Sequence, residues 1–489
     1  MDIHSESLLR KWSPGAFIGI FLLAAFLRLQ GLRTDFWLDE IWALQIVAEF
    51  VRNPIDILTR LHLDTNHWLY TYYLFLCGEG RAWWIYRVPS MIAGIMTVPL
   101  FGLICGGRDP GKSLTAMVIS GFSYLLILYS SEARGYALMI LLGLIAYFLL
   151  DRYFLEKPKG YAAAFWAVSI LGILAHITFL YITAGFILWT WCDSGKSGSG
   201  LLHRTKAVVA LHGPPLVFLS LLYLVDLRRM ILGGAEVGTF PDVLRQLIGF
   251  AVGCPEIGIL PIIVTVMGIA LICFEILLLW FQDRGKALFF TMVLFLVPLT
   301  VATGAFFADF RGWQVRYLLA CLPFLLMLIV NSFWRAWQSG RGGRALYLCC
   351  LGLYLAGNGY YLRSFLKDGR GAYLTAIRYV MDHSAGREIT IASDHDFRNK
   401  MVLDYYVRQL GRERPFTYYD GGKWPPAGPA WYISHSIKRE ASVPQSRTAY
   451  NGAVYDLVGQ FRFSGLSGFH WFLYRKKESK PTPDAAPIR

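Results

Sequence analysis

The sequence predicts an all-α polytopic membrane domain of about eleven transmembrane helices, followed by a small C-terminal α/β domain. Three observations lead there. Of 489 residues, 55% are hydrophobic and only 16% are charged, whereas an ordinary soluble chain carries about 25% charge. The apolar residues fall in blocks of about 15 to 24, and a membrane-crossing helix needs about 20. From Leu362 onward the composition turns to that of a soluble domain.

The apolar blocks place spans near 14–32, 84–105, 113–130, 136–151, 162–176, 177–192, 207–225, 257–280, 287–305, 317–334 and 345–361. The first run, Pro14 to Leu27, has no small-x-small cleavage site after it, so it reads as a retained span. Residues 162–192 are continuously apolar. As one helix they would run about 46 Å, against a hydrocarbon core of about 30 Å, so two short spans turning at His176 fit better.

Lysines orient the chain. With a cytoplasmic N-terminus, Lys11, Lys112, Lys157, Lys159, Lys196, Lys206 and Lys286 all fall inside. The outside loops instead carry Asp35, Asp39, Glu40, Asp56, Asp64 and Glu132. This is the positive-inside bias, and it makes the C-terminal domain extracytoplasmic.

Residues 1–361 thus form the membrane domain, with a long first outside loop at 33–83. Within that loop Asn66–Gly78 has a helical pattern but is too short to span, so it is expected to lie in the interface. Residues 362–477 form the α/β domain. Helices are expected at Ala372–His383 and Phe397–Gln409, and strands at Glu388–Ala392, Phe416–Tyr419, Trp431–Ser434 and Trp471–Tyr474. The tail, 478–489, holds three prolines and is expected to be disordered.

The net charge of +14 does not imply nucleic acid, because most basic residues before 345 sit in short loops and no basic stripe is interleaved with aromatics. Membrane lipids are the expected surroundings. The eight cysteines contain no CxxC pair, so neither a zinc site nor a disulfide framework is indicated.

The sharpest chemical signal is Phe36-Trp37-Leu38-Asp39-Glu40, just outside the first span. Two adjacent carboxylates among tryptophans are costly beside a bilayer unless solvated, paired or functional. The bland alternative is a solvated helix start with Asp39 as cap. The second signal is Ser131-Glu132-Ala133-Arg134-Gly135-Tyr136, on the same face. Its arginine could grip a phosphate bidentately, or snorkel and pair with Glu132. Weaker signals share that face: Asp64-Thr65-Asn66-His67, His176 at its turn, and Arg311 and Arg316-Tyr317 ahead of the tenth span. Each alone is more often structural; what raises them is convergence on one surface. Glu275, inside the eighth span, reads as a buried pairing with no assigned role.

These residues, in this order, resemble a family. Leu27-Arg28-Leu29-Gln30-Gly31-Leu32, Trp37-Leu38-Asp39-Glu40, Asp64-x-Asn66-His67, Arg87-Val88-Pro89-Ser90, Ser131 to Tyr136, and Arg316-Tyr317-Leu318 with Pro323 look like the GT-C membrane glycosyltransferases. The branch is that of protein O-mannosyltransferase, lipid A aminoarabinose transferase and rhizobial galacturonosyltransferase relatives.

The resemblance implies a GT-C-type fold and an inverting transfer of a sugar from a polyprenyl-phosphate donor to an extracytoplasmic lipid, glycan or protein. It makes Asp39 the general base and Glu40 the second acid. It directs substrate binding to Asp64, Asn66, His67, Arg87, Glu132, Arg134, Tyr136, His176, Arg316 and Tyr317. A lysine that relatives carry near His67 is missing, so Arg81, Arg87, Arg134 or Arg316 must supply the charge on the donor phosphate. No cofactor is expected. The carboxylates could take a divalent metal, but no histidine cluster supports one.

The absence of any Asn-x-Ser/Thr sequon favours a bacterial inner membrane. A polysaccharide polymerase or ligase would be expected to place its largest outside loop late in the chain. A transporter or flippase would be expected to show repeats and mid-membrane charges.

Overall fold

The computed structural model describes residues 14–156, 160–196, 200–231, 233, 238–307, 312–386, 388–411, 415–421, 423–438, 442–449 and 451–477. Contacts divide the chain into two units. One runs to Arg33 and again from Ile46 to Arg363; the other joins Thr34–Gln45 to the chain from Ser364 onward. The tail at 478–489 lies outside the described residues.

The first unit is helical. Its helices are α1 Pro14–Gly31, α2 Leu38–Phe50 (shared with the second unit), α3 Trp68–Cys77, α4 Val88–Gly106, α5 Pro110–Phe122, α6 Tyr124–Ser130, α7 Tyr136–Glu156 and α8 Tyr161–Ala175. There follow α9 Phe179–Asp193, α10 Leu201–Val225, α11 Phe240–Val252, α12 Leu260–Gln282, α13 Arg284–Thr291, α14 Val297–Phe307, α15 Leu322–Gln338 and α16 Arg341–Asp368.

Among the described residues, seven helical stretches are long and apolar enough to cross a membrane, or eight if the bent pair α5–α6 is one span. The two short apolar helices α8 and α9 fall where the sequence suggests two spans turning at His176. Each of the eleven expected spans coincides with helix. The outward faces carry exposed apolar side chains such as Leu22, Phe26, Met267 and Phe274. A helix with such a face suits lipid. The chain is therefore a multi-pass membrane protein, of the fold class the sequence predicts.

The 57° break between α5 and α6 exposes backbone groups that lipid cannot satisfy. Three side chains meet them. Ser123 caps α6. Asn358 Oδ1 accepts from the Tyr124 N–H at 2.8 Å. Arg28, fully buried, donates to the carbonyls of Ser120 and Gly121, each at 3.1 Å. Pro298 opens another irregularity: it lacks the N–H of a helical turn, and the preceding turn, Met292–Leu296, is a π-helix. There the Cys321 thiol donates to the Val293 carbonyl. Glu275 is buried and pairs with Arg335 and Ser332.

The second unit holds helices α17 Tyr373–Asp382 and α18 Asp396–Gln409 and a six-stranded sheet. The strands are β1 Ile389–Ser393, β2 Phe416–Tyr418, β3 Trp431–Ser436, β4 Ser446–Thr448, β5 Val454–Phe461 and β6 His470–Lys476, in the order β2-β1-β3-β6-β5-β4. β1 runs parallel to β2 and β3, and the remaining pairs are antiparallel. β4 and β5 were not expected. β4 is a three-residue edge strand, and β5 carries an irregularity between Leu457 and Gly459 that breaks the two-residue period. Trp431, Trp471, Tyr373 and Tyr406 fill the core.

Candidate functional site

Six pieces of the first unit converge on one cavity of about 560 Å³. They are the loop before α3, the turn between α6 and α7, the turn between α8 and α9, the segment after α10 at Met230 and Gly233, the end of α14, and Trp313 to Tyr317. Its lining includes Asp64, Asn66, His67, Arg134, Tyr136, His176, Arg316 and Tyr317. Val301, Gly304 and Ala305 of α14 and Tyr181 of α9 give it an apolar side.

The loop before α3 is held in three ways. Asn66 Nδ2 donates to the carbonyls of Ile57 and Leu61 at 2.8 and 2.9 Å. Leu63 and Ile231 form an isolated parallel β-bridge, with the Asp64 N–H on the Ile231 carbonyl at 3.1 Å. Asp226, buried at the end of α10, accepts from Trp68 Nε1 at 2.5 Å and contacts His62 Nδ1 at 2.5 Å. Neither Asp226 nor His62 stood out in the sequence. An acid closing a long apolar span was the available signal.

His67 leads into α3. Its Nδ1 accepts a hydrogen bond from the Gly135 backbone at 2.8 Å. An amide can only donate, so the neutral ring keeps its proton on Nε2. That Nε2 is buried and meets no hydrogen-bond partner among the described residues. Burial, followed by Arg134, His176 and Arg316, holds the imidazole well below its usual pKa. His176 Nδ1 accepts from the Thr178 N–H at 3.1 Å. The rings of His67, Tyr136 and His176 form a cluster with centroids 4.5 to 5.1 Å apart.

Arg134 is 6% exposed. Its Nη1 donates to Thr65 Oγ1 at 2.7 Å, and its carbonyl accepts from Ser90 Oγ at 2.8 Å. Its guanidinium lies 5.9 Å from the Tyr136 ring centroid. The Arg316 guanidinium lies 5.8 Å from that of Tyr317. Arg87 and Glu132 are fully buried but do not line the cavity. Arg87 donates to the Leu32 carbonyl instead. Of the four arginines expected to compete for the donor phosphate, Arg134 and Arg316 are the two at this cavity. Arg311 lies outside the described residues.

Asp39 and Glu40 belong to the second unit. Helix α2 begins at Leu38, so both acids fall in its first turn. Glu40 is fully buried, and its Oε2 accepts from the Trp37 N–H at 3.3 Å. That is the reach-back half of a capping box. The capping role that Asp39 could have filled therefore belongs to Glu40, while Asp39 is half-buried. Among the described residues no three His, Cys, Asp or Glu side chains are grouped as a metal site.

No family model matches this chain, and no curated protein matches it. Solved structures similar to it include two of the same protein. ArnT from Cupriavidus metallidurans bound to undecaprenyl phosphate is 12% identical with a TM-score of 0.48, covering 94% of this chain and 98% of that one. ArnT from Cupriavidus metallidurans in the apo state is 13% identical with a TM-score of 0.49, covering 86% and 92%.

Proposed function

We propose that this chain is an inverting membrane glycosyltransferase that moves a sugar from a polyprenyl-phosphate donor to an extracytoplasmic acceptor. The membrane would be a bacterial inner membrane, with the N-terminus cytoplasmic. The observation that carries the reading is the pairing of Arg134 and Arg316 in one cavity that also has an apolar wall on α14. A lipid-linked phosphate needs both features.

In this reading the acceptor hydroxyl oxygen attacks the anomeric carbon from the face opposite the phosphate. The bond from that carbon to the phosphate oxygen breaks, and polyprenyl phosphate leaves as an anion. The phosphate is a good leaving group, so the step needs no strong acid. Arg134 and Arg316 stabilise the charge that develops on it. A guanidinium offers paired donors that match two phosphate oxygens. Asp39 takes the proton from the acceptor hydroxyl. Glu40, engaged at the Trp37 N–H, is not the group that does so.

The test is turnover of a panel of undecaprenyl-phosphate sugars by purified protein with an envelope extract as acceptor, read as undecaprenyl phosphate released. Asp39→Asn is expected to lose about 10² to 10⁴-fold, the usual worth of a general base, and Glu40→Gln far less. Near-normal turnover in Asp39→Asn removes Asp39 as base. No release from any donor sinks the transferase reading.

A further inference from the structure

The segment carrying Asp39 is gripped by the C-terminal half of the chain. Thr34–Gln45 packs as part of the second unit. Three separate elements hold it. Arg370, fully buried, donates through Nη1 to Thr34 Oγ1 at 3.0 Å. Asp35 accepts the Leu374 N–H at 2.9 Å, so it satisfies the first turn of α17, where Ala372 provides no side-chain cap. Tyr406, buried in α18, donates its hydroxyl to the Phe36 carbonyl at 2.9 Å. Ring contacts add to this: Phe36 lies 5.5 Å from Tyr405, and Trp42 lies 5.4 Å from Phe397.

The gripping elements are themselves built rigidly. The Gly369 carbonyl accepts from both the backbone N–H and the hydroxyl of Ser464, at 3.0 and 2.6 Å. Gly468 lies so close to the Arg370 carbonyl that a Cβ there would come within 1.7 Å. Tyr373 donates to the Arg370 carbonyl at 2.8 Å. Burial pushes its phenol well up, with Asp35 and Asp39 contributing through their charge. Glu40 then fixes the start of α2 at Trp37. The hydrogen bonds from Arg370, α17 and α18 end on Thr34, Asp35 and Phe36, in the segment that leads into this helix.

We infer that the C-terminal α/β unit is the positioning frame for Asp39, with Tyr406, Arg370 and the N-terminus of α17 as its positioning residues. The inference rests on Asp39 being the base. A general base works only within hydrogen-bond reach of its proton, and small displacements are costly. Six residues without regular structure would not hold that reach. Bonds to Thr34, Asp35 and Phe36 do.

Tyr406→Phe keeps the ring and removes only the hydroxyl bonded to Phe36. In the full-length protein it is expected to lower kcat by up to about 10²-fold, the cost of misplacing a reacting group by about 1 Å. KM for the donor is expected to stay unchanged. Combined with Asp39→Asn, it is expected to cost nothing further, because it acts through that carboxylate. Asp35→Ala serves as a second variant with the same signature. Hydrogen exchange of the 35–44 amides is expected to quicken in both, while the 64–68 amides keep their protection. Normal kcat in both variants, with Asp39→Asn inactive, overturns the positioning frame and leaves the base in place. Losses that multiply with Asp39→Asn also overturn it. An active Asp39→Asn removes the base itself, and the frame with it.

Discussion

The Gly135 backbone N–H donates to Nδ1 of His67 at 2.8 Å, tying the turn after α6 to the start of α3. This bond joins two of the sequence signals directly and leaves no space at Gly135. A Cβ there would stand 1.9 Å from the Ala175 carbonyl and 3.1 Å from His67 Nδ1. Gly135→Ala is therefore expected to displace the turn that carries Arg134. Thermal melting should drop, and binding of undecaprenyl phosphate should be lost. Retained binding at wild-type affinity would contradict this geometry.

Arg134 anchors itself on Thr65 through one terminal nitrogen, at 2.7 Å. Arg134→Ala is expected to cut turnover about 10² to 10³-fold, as for other groups that stabilise developing charge. Arg134→Lys should recover part of the loss, since a lysine offers charge but not a fork. Steady-state kinetics on the sugar donor decide it. Full turnover in the alanine variant places Arg134 outside the reaction.

The depressed His67 pKa gives stability a pH dependence of definite sign. In the folded protein the ring stays neutral well below the usual 6.5. Below that pH the unfolded chain binds a proton that the folded chain does not, so stability falls as pH drops through this window. Above it His67 contributes no slope. The maximum is about 1.4 kcal/mol per pH unit. His67→Asn keeps an acceptor near Gly135 and cannot titrate. Its melting temperature is expected to fall less steeply than wild type between pH 7 and 5. Parallel slopes would remove His67 as the source.

Arg28 donates to the Ser120 and Gly121 carbonyls just before the α5–α6 break, and to the Ala24 carbonyl of its own helix. Arg28→Met should leave those carbonyls unsatisfied in an apolar surrounding, at about 1 to 3 kcal/mol for a lost buried partner. A clear fall in melting temperature is expected, with Arg28→Lys intermediate because one ammonium cannot span the same carbonyls. An unchanged melting curve for Arg28→Met would show that the break needs no cap.

The lysine distribution predicts the orientation. A reporter fused at Lys196 is expected to read as cytoplasmic and one fused after Lys477 as extracytoplasmic. The opposite reading at either point would break the eleven-span topology.

Apolar length alone placed the spanning helices of the first unit, but not α11, Phe240–Val252. Lipid gives a spanning chain little choice but helix, so about 20 apolar residues decide an element without help from its neighbours. His176 as a turn followed from the same length argument. Local pattern also reached α17, α18 and four strands. β4 and β5 escaped it: Ser446–Thr448 holds no apolar residue, and β5 shifts register between Leu457 and Gly459.

Tertiary structure decided what one-dimensional pattern cannot hold. That His67, Arg134, His176 and Arg316 line one cavity while Arg87 and Glu132 do not depends on side-chain direction across four helices. The resemblance distinguishes Asp39 from Glu40 by role, but their surroundings come only from the fold: Glu40 is buried and accepts the Trp37 N–H, and Asp39 is half-buried. Least legible was the grouping of Thr34–Gln45 with the chain beyond Ser364. Arg370, Leu374 and Tyr406 reach that segment from more than 300 positions away in sequence. Such bonds leave no local trace, because a buried donor is satisfied by whichever acceptor the fold brings to it.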